Sequence, residues 1–433
     1  MSNGIFINYQ MAEAITLLTD PHLLAEQGYA STEEALSDLK NRWLKDVIPG
    51  YKCEIGHNMP GMQEITVEEV FQLAELAKTV DTYTVQNSGA MQYCIQFNED
   101  GSYNFDFSKL EKIVSLARQN NKKIIIDSAV VFGDLKNNNL KHLSTEQLAN
   151  IIKNYIAKLT TKYGDVIERI DVFNAVFQRN EIDHDNYSEK FWIERFGENY
   201  PEHIIKLVRE NINSVYKDKI KLCWNEFYLT NSNEKYKGRR EAFLERIKNL
   251  DIDCIGIQDR FTTGTSEEYI TSSLQEIISM CEESGKSACI TEFSCTASGN
   301  DRMTLSNEDI NKKVKVILQT VKNIVNNTNT ITSIEGAASD KFDYNHHELI
   351  SDDKNPINIS TTDKKELKPK EINAELSIMF VEQKQEEKPK VKQLTPNNNG
   401  FTNYLILILS GVVCVLITMI INLLIKYNGG KLW

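Results

Sequence analysis

Excess positive charge, closely spaced cysteines and internal repeats are features that this sequence lacks. Its 49 Lys and Arg are outnumbered by 61 Asp and Glu, for a formal net charge of −12. No basic stripe is present to neutralise phosphates, so we expect no nucleic acid partner. The 8 cysteines are scattered and form none of the close pairs of zinc sites or disulfide scaffolds. We therefore expect reduced thiols, mostly in the core, with no metal site and no cofactor.

The two ends of the chain lead to different predictions about secretion and membrane attachment. Residues 1–20 contain no basic region and no uninterrupted apolar run before a cleavage site, so we predict no secretory signal and a cytosolic soluble part. Residues 404–425 are mostly Leu, Ile, Val and small residues, with only Asn422 strongly polar. This run is long enough to cross a hydrocarbon core of about 30 Å. We predict a single-pass C-terminal membrane anchor, with a buried core helix as the alternative.

Short β-branched runs alternate with amphipathic helical stretches from about residue 52 to residue 382. This rhythm predicts a parallel sheet with crossover helices. Eight strand and helix pairs are what a closed barrel needs, whereas open doubly wound sheets usually have fewer strands. We therefore predict an α/β fold, specifically a (β/α)8 TIM barrel. The strand-like runs are residues 52–56, 81–85, 122–127, 168–174, 220–225, 253–258, 288–292 and 331–336.

Composition divides the chain into predicted segments. Helical patterns at residues 5–18 and 32–45 fall before the first predicted strand, so we expect an N-terminal helical extension. The stretch before the apolar run is rich in Lys, Glu, Gln, Pro and Asn, which cannot fill a core and which predict a flexible stalk. The predicted segments are the extension (1–50), the barrel (51–383), the stalk (384–402), the transmembrane helix (403–426) and a short tail (427–433).

The reacting groups of a β/α barrel lie at the C-terminal ends of its strands. The fourth predicted strand ends in Asn174-Ala175, the sixth in Ile257-Gln258 and the seventh in Thr291-Glu292. At these points the chain resembles the family 10 glycoside hydrolases, the endo-β-1,4-xylanase family. Motifs at residues 101–106 and 197–200 add to this resemblance, which spans about residues 51–380.

The resemblance implies roles for three of these residues. In that family a Glu directly after Asn at the end of strand four is the acid/base, and a Glu directly after Ile-Thr at the end of strand seven is the nucleophile. Glu292 occupies the nucleophile position, and Asn174 that of the Asn that binds the sugar 2-hydroxyl. Ala175 replaces the acid/base, and alanine has no proton to give. Loss of general acid catalysis costs roughly 10²–10⁴-fold in rate.

Other positions also depart from the family. The Trp and His that the family carries at the end of strand three are missing from residues 127–132. At strand two the expected Glu-Asn and Met-Lys read Gln86-Asn87 and Met91-Gln92, so the sugar-binding Lys is absent. On strand six the family's His is replaced by Arg260. The candidates that remain for sugar binding are Asn87, Asn174, Gln258 and Arg260.

Each candidate has both a functional and a structural interpretation, and the sequence leaves both open. Glu292 is either a nucleophile or a structural carboxylate paired with Arg260. Asn174 and Gln258 are either sugar ligands or hydrogen-bonding props between strand ends. Glu226, at the end of the fifth strand, is the best-placed substitute acid, although it lies in register with a family Asp that is not the acid.

Two main hypotheses for function follow from the site. The first is a catalytically degenerate family 10-like barrel, tethered to the cytosolic face of a membrane, that binds a carbohydrate or a membrane-associated protein. The second is an active retaining β-glycosidase that uses Glu292 together with a substitute acid or with a leaving group that needs none. A scaffold for a membrane assembly is a third alternative.

Overall fold

Eight parallel strands form a closed barrel in the computed structural model. The chain divides into two units, Met1–Phe380 and Val381–Trp433, and every described residue lies in the first. The described residues are 2–47, 66–85, 87–132, 135–177, 188–230, 234–258, 260–296, 298, 301 and 304–336. The barrel strands are β1 (Ser2–Phe6), β2 (Thr82–Val85), β3 (Lys123–Ile126), β4 (Ile167–Asn174), β5 (Lys221–Phe227), β6 (Cys254–Gln258), β7 (Ser287–Thr296) and β8 (Ile331–Gly336). Each strand pairs with the next, and β8 pairs with β1 to close the ring.

Helices and four minor strand segments connect the barrel strands in the described part of the chain. An antiparallel hairpin joins Ile95–Phe97 to Tyr103–Phe105, Val131–Phe132 pairs with β4, and Arg260–Thr262 pairs with β7. The described helices are Tyr9–Thr19, Pro21–Glu26, Thr32–Leu39, Leu44–Val47, Val67–Thr79, Met91–Cys94, Ser108–Gln119, Asn138–Lys141, Thr145–Tyr163, Ser188–Phe196, Tyr200–Asn211, Glu234–Ile247, Glu267–Ser284 and Asn307–Asn326. Their apolar faces form the core between the helices and the outer face of the barrel.

Local sequence explains where two long helices begin. Ser144 accepts a hydrogen bond from the Gln147 backbone, and the Gln147 side chain accepts one from the Ser144 backbone, which completes a capping box before Thr145–Tyr163. Ser306 caps Asn307–Asn326 by accepting from the Asp309 backbone. Both caps satisfy backbone N–H groups that have no partner inside the helix.

The first barrel strand corrects the sequence prediction. Seven predicted strands overlap β2 to β8, but a helix was expected from residue 5 and the first strand at residues 52–56. Ser2–Phe6 is instead a strand paired on both edges, with β8 and β2, and the helix begins at Tyr9 with Asn8 as its cap. A short apolar run fits a strand and a helix equally well by periodicity. The barrel therefore begins inside the predicted extension of residues 1–50, and residues 52–56 lie outside the described residues.

Gly4 shows how closely β1 approaches its neighbours. A Cβ atom at this position would lie 2.5 Å from Thr82 Oγ1 and 2.9 Å from Glu335 Cγ. Both partners are buried residues of the adjacent strands β2 and β8. The glycine therefore leaves room for Glu335 inside the barrel.

Several predictions concern parts of the chain that are not described. Among the described residues, no helix is both long and apolar enough to cross a membrane. The predicted anchor at residues 404–425, the stalk and the tail all lie outside the described ranges, and their boundaries stay predictions. The cysteines that are described, six in number, are buried and form no disulfide, as predicted for core thiols.

Candidate functional site at the barrel mouth

Glu292 lies on β7 at the mouth, the end of the barrel where all eight strands finish. Its side chain is only 6% exposed. The Gln258 side-chain amide on β6 donates a hydrogen bond to Glu292 Oε1. Two predicted site residues are thus brought together, since neighbouring strands β6 and β7 end at the same edge. The side chain of Arg260 lies outside the described part of the chain, so its pairing with Glu292 stays a prediction.

A directed series of hydrogen bonds, which we call the strand-end chain, crosses the mouth from β7 to β3. The Thr291 hydroxyl donates to Asn225 Oδ1, and Asn225 Nδ2 donates to Asn174 Oδ1 at 3.3 Å. Asn174 Nδ2 donates to Ser128 Oγ, which in turn donates to Asp127 Oδ1 at 3.2 Å. Both polar atoms of Asn174 therefore have protein partners, which favours its interpretation as a prop between strand ends.

Gly256 makes the middle of this chain sterically feasible. A Cβ atom on Gly256 would lie 2.6 Å from Asn225 Oδ1 and 2.9 Å from Asn225 Cα. Because β5 and β6 pair with Asn225 opposite Gly256, any larger residue would push the asparagine out of its place. The glycine on β6 thus permits the amide on β5 to reach its partners on β4 and β7.

Ala175 occupies a left-handed backbone conformation directly after β4. Its φ is 52°, and its N–H donates to the Asn225 carbonyl at 2.9 Å. Asn87, Ser128 and Tyr228 follow the ends of β2, β3 and β5 and also have positive φ. Such conformations cost of order 1–3 kcal/mol for residues other than glycine and tend to cluster at functional sites. The mouth therefore carries the same backbone feature on four consecutive strands.

Glu226 acts as an anchor, because its carboxylate is surrounded by hydrogen-bond donors instead of facing open space. It is completely buried and its carboxylate accepts from the N–H groups of Val176 and Phe177, at 3.1 and 2.9 Å. Further donors are Trp224 Nε1, the Phe227 N–H and Arg239 Nη2, the last at 2.6 Å. A general acid must present its proton to the leaving oxygen. These contacts favour a structural carboxylate, and the substitute-acid role stays a prediction.

Asn87, a candidate sugar-binding residue, and Gln92, a departure from the expected sugar site, also have structural partners. Asn87 is exposed at the end of β2, and its carbonyl accepts from the Ala90 N–H. Gln92, where the family would carry its Lys, is buried and accepts from the Lys136 N–H at 2.9 Å. Its backbone carbonyl accepts from Asn137 Nδ2 at 3.0 Å. Gln92 therefore holds the segment after β3 against the helix Met91–Cys94.

Comparison with known proteins identifies the family. The sequence model described as Glycosyl hydrolase family 10 matches residues 44–341, well over half of the chain. The chain belongs to glycosyl hydrolase family 10. No curated protein matches it.

Solved structures share the barrel fold with this chain at low sequence identity. The endo-1,4-beta-xylanase from Caldicellulosiruptor owensensis aligns with a TM-score of 0.54 and 15% identity over 80% of this chain and 88% of that one. Native xylanase 10B from Thermotoga maritima aligns with a TM-score of 0.55 and 17% identity, over 76% and 95%. A mutant structure in complex with xylotriose aligns with a TM-score of 0.53 and 15% identity, over 78% and 86%. These similarities show the fold.

The structure adds residues to the family 10 mouth that sequence reasoning missed. Arg239 lies on the helix after β5 and contacts Glu226, Phe177 and Phe227. Asp127 was noticed only as part of a segment without Trp and His, yet it receives the strand-end chain and is 3% exposed. Burial raises the pKa of the Asp127 carboxyl well above its usual range, and the charges of Asp171 and Glu292 raise it further. The sequence signal that could have singled out Asp127 is an acidic residue directly after three isoleucines.

Proposed function

We propose that this family 10 protein binds a saccharide at the barrel mouth without the turnover of an ordinary endo-xylanase. The observation that carries the proposal is Ala175, which stands directly after Asn174 where the family resemblance implies the acid/base. Support also comes from Asn174 and Glu226, whose polar atoms are engaged by other protein groups. Without an acid, a sugar leaving group would depart unprotonated, at a cost of roughly 10²–10⁴-fold in rate.

The proposed ligand class is a β-linked xylooligosaccharide or a related glycan. Its support is the fold shared with a solved structure in complex with xylotriose, together with the amide and carboxyl groups that converge at the mouth. A membrane-associated protein is the alternative ligand. Xylotriose is therefore the first probe, and failure to bind it would turn the search toward protein partners.

The proposal includes a membrane anchor at residues 404–425, with the barrel on the cytosolic side. Its support is the composition of that run. Alkaline carbonate extraction of the full chain from cell membranes tests the anchor, and protease digestion of sealed vesicles tests the side. We expect retention in the membrane fraction and digestion of the barrel from outside the vesicles.

A second candidate function is hydrolysis of activated β-glycosides with Glu292 as nucleophile. The hydrogen bond from Gln258 favours it, because this contact orients the carboxylate of Glu292. An activated phenol leaves without a proton, so an aryl β-xyloside and an aryl β-glucoside isolate the nucleophile step. The full chain should be assayed beside Glu292→Ala, Ala175→Glu and the exposed control Glu194→Ala. We expect no turnover; turnover lost only in Glu292→Ala would establish the second candidate instead.

A further inference from the structure

Among the side chains that the structure describes, the barrel interior below the mouth contains more carboxyl groups than cations. Arg169 and Asp171 on β4 and Glu335 on β8 are almost completely buried, as are Asp127 and Glu292 nearer the mouth. Arg169 is the only cation among these five groups. Because an isolated buried charge is very costly, such an interior must either pair or neutralise its carboxyl groups.

Arg169 is fully engaged by two of these groups. Its Nε and Nη2 donate to the two oxygens of Asp171, at 2.6 and 3.1 Å. Its Nη1 and Nη2 donate to the two oxygens of Glu335, at 2.6 and 2.9 Å, and Nη1 also donates to Ser333 Oγ. A guanidinium has five N–H donors, and these contacts use all of them. No donor of Arg169 is left for Asp127.

Asp127 is the end point of the strand-end chain. Its Oδ1 accepts from Ser128, while Oδ2 forms no hydrogen bond with a described residue. Asp127 directly follows β3, so its carboxyl lies at the mouth end of that strand, with one oxygen used by the strand-end chain and the other not used by the described residues.

Among the described residues, the charged groups that act on Asp127 are nearly all negative. Strand β4 contributes Asp171 with the engaged Arg169, β7 contributes Glu292, and β8 contributes Glu335. The adjacent strand β2 contributes Thr84, whose hydroxyl donates to Glu335 at 2.9 Å. Since ionised Asp127 would meet these carboxylates without a counter-ion among the described residues, the protonated form is favoured at neutral pH.

We propose that Asp127 is a neutral carboxylic acid whose Oδ2–H donates a hydrogen bond to an oxygen of the saccharide bound at the mouth. The proposal rests on the saccharide-binding function above and assigns it a specific donor. Ionisation of Asp127 removes this donor and places a further negative charge near Asp171, Glu292 and Glu335. Affinity must therefore fall as pH rises through the titration of this residue.

Calorimetric titration of the full chain with xylotriose between about pH 5 and pH 10 tests the donor. We expect the wild-type affinity to fall by about 10-fold or more across this range. Asp127→Asn keeps an N–H donor without a titration, so its affinity should vary little with pH, and Asp127→Ala should bind weakly throughout. The exposed variant Asp165→Asn should follow the wild type. Identical pH profiles for wild type and Asp127→Asn would overturn the proposal.

A measurement without ligand separates failure of this proposal from failure of the binding function. Because the folded pKa of Asp127 is raised, the unfolding free energy of the wild type should decline from acid toward neutral pH, and that of Asp127→Asn should lack this component. Parallel stability curves together with xylotriose binding would overturn the inference alone. Divergent curves without xylotriose binding at any pH would overturn both the binding function and the donor role.

Discussion

Two buried carboxyl groups at the same end of the barrel have opposite surroundings. Glu226 accepts hydrogen bonds from three backbone N–H groups, an indole and the guanidinium of Arg239. Asp127 accepts one, from Ser128, and faces other carboxylates. The first environment supplies donors to both carboxylate oxygens, whereas the second raises the pKa of its carboxyl through burial and neighbouring charges. The comparison teaches that depth alone does not fix the surroundings of a carboxyl group, because two equally buried carboxyls can differ in their donors and in the charges near them.

The surroundings of both carboxyl groups form only in a closed barrel. Removal of β1 should therefore have the largest effect on stability. A chain that lacks residues 2–8 leaves the facing edges of β8 and β2 unpaired and uncovers Glu335. We expect loss of cooperative unfolding, measured by circular dichroism during a urea titration. A cooperative transition at the wild-type midpoint would contradict the position of β1 and support a separate N-terminal extension.

The hydrogen bonds around Glu226 can be tested with Glu226→Ala. This change leaves Arg239 buried without its carboxylate and frees three backbone N–H groups, so we expect a loss of about 3–5 kcal/mol in unfolding free energy. Glu226→Gln retains the shape and part of the hydrogen bonding and should lose less. Chemical denaturation followed by tryptophan fluorescence measures both. A loss below about 1 kcal/mol for Glu226→Ala would mean that the anchor is not structural.

The hydrogen bond that Asp127 accepts belongs to the strand-end chain, and Gly256→Ala should disrupt this chain. The new Cβ would meet both the side chain and the backbone of Asn225, and overpacking of this kind costs about 1–3 kcal/mol. Gly238→Ala is the matched control, because no atom lies within 4 Å of its added Cβ and alanine favours a helix. We expect destabilisation at position 256 and a small gain at position 238. Equal effects at the two positions would argue against the close approach of Gly256 and Asn225.

The smallest predicted effect concerns Asp165, whose contribution to stability should depend on pH in the direction opposite to that of Asp127. Arg118 donates two hydrogen bonds to Asp165 on the surface and lowers the pKa of that carboxyl. Its stabilisation is therefore present above the unfolded pKa and lost as pH falls, whereas Asp127 should act in the opposite direction. Asp165→Asn should cost less than about 1 kcal/mol at neutral pH and progressively less in acid. An Asp127→Asn curve with the same sign would remove the contrast.

The sequence was sufficient for most of the barrel but not for its first strand. Runs such as Lys123–Ile126 carry a strong β-branched signal and fall where predicted. Ser2–Phe6 is short and precedes a helix, so periodicity could not separate the two elements. The pairing of β1 depends on the free edges of β2 and β8, which only the closed barrel brings together.

The candidate site was predictable to a similar degree. The order of strand ends placed Glu292, Gln258 and Asn174 at one mouth, and the structure brings Glu292 and Gln258 into contact. The donors around Glu226 and the acidic neighbours of Asp127 could not be predicted. Both depend on distances between strands that are far apart in sequence. Arg239 illustrates the limit, since an arginine on a helix gives no sign that it points under the ends of β4 and β5.

The central claim is that the mouth binds a saccharide without cleaving it. The most direct measurement incubates the full chain with xylotriose at mildly acid pH and follows binding by calorimetry and products by chromatography in the same samples. We predict binding without release of xylose, in the wild type and in Glu292→Ala alike. Release of xylose that Glu292→Ala abolishes would contradict the claim and identify a working glycoside hydrolase.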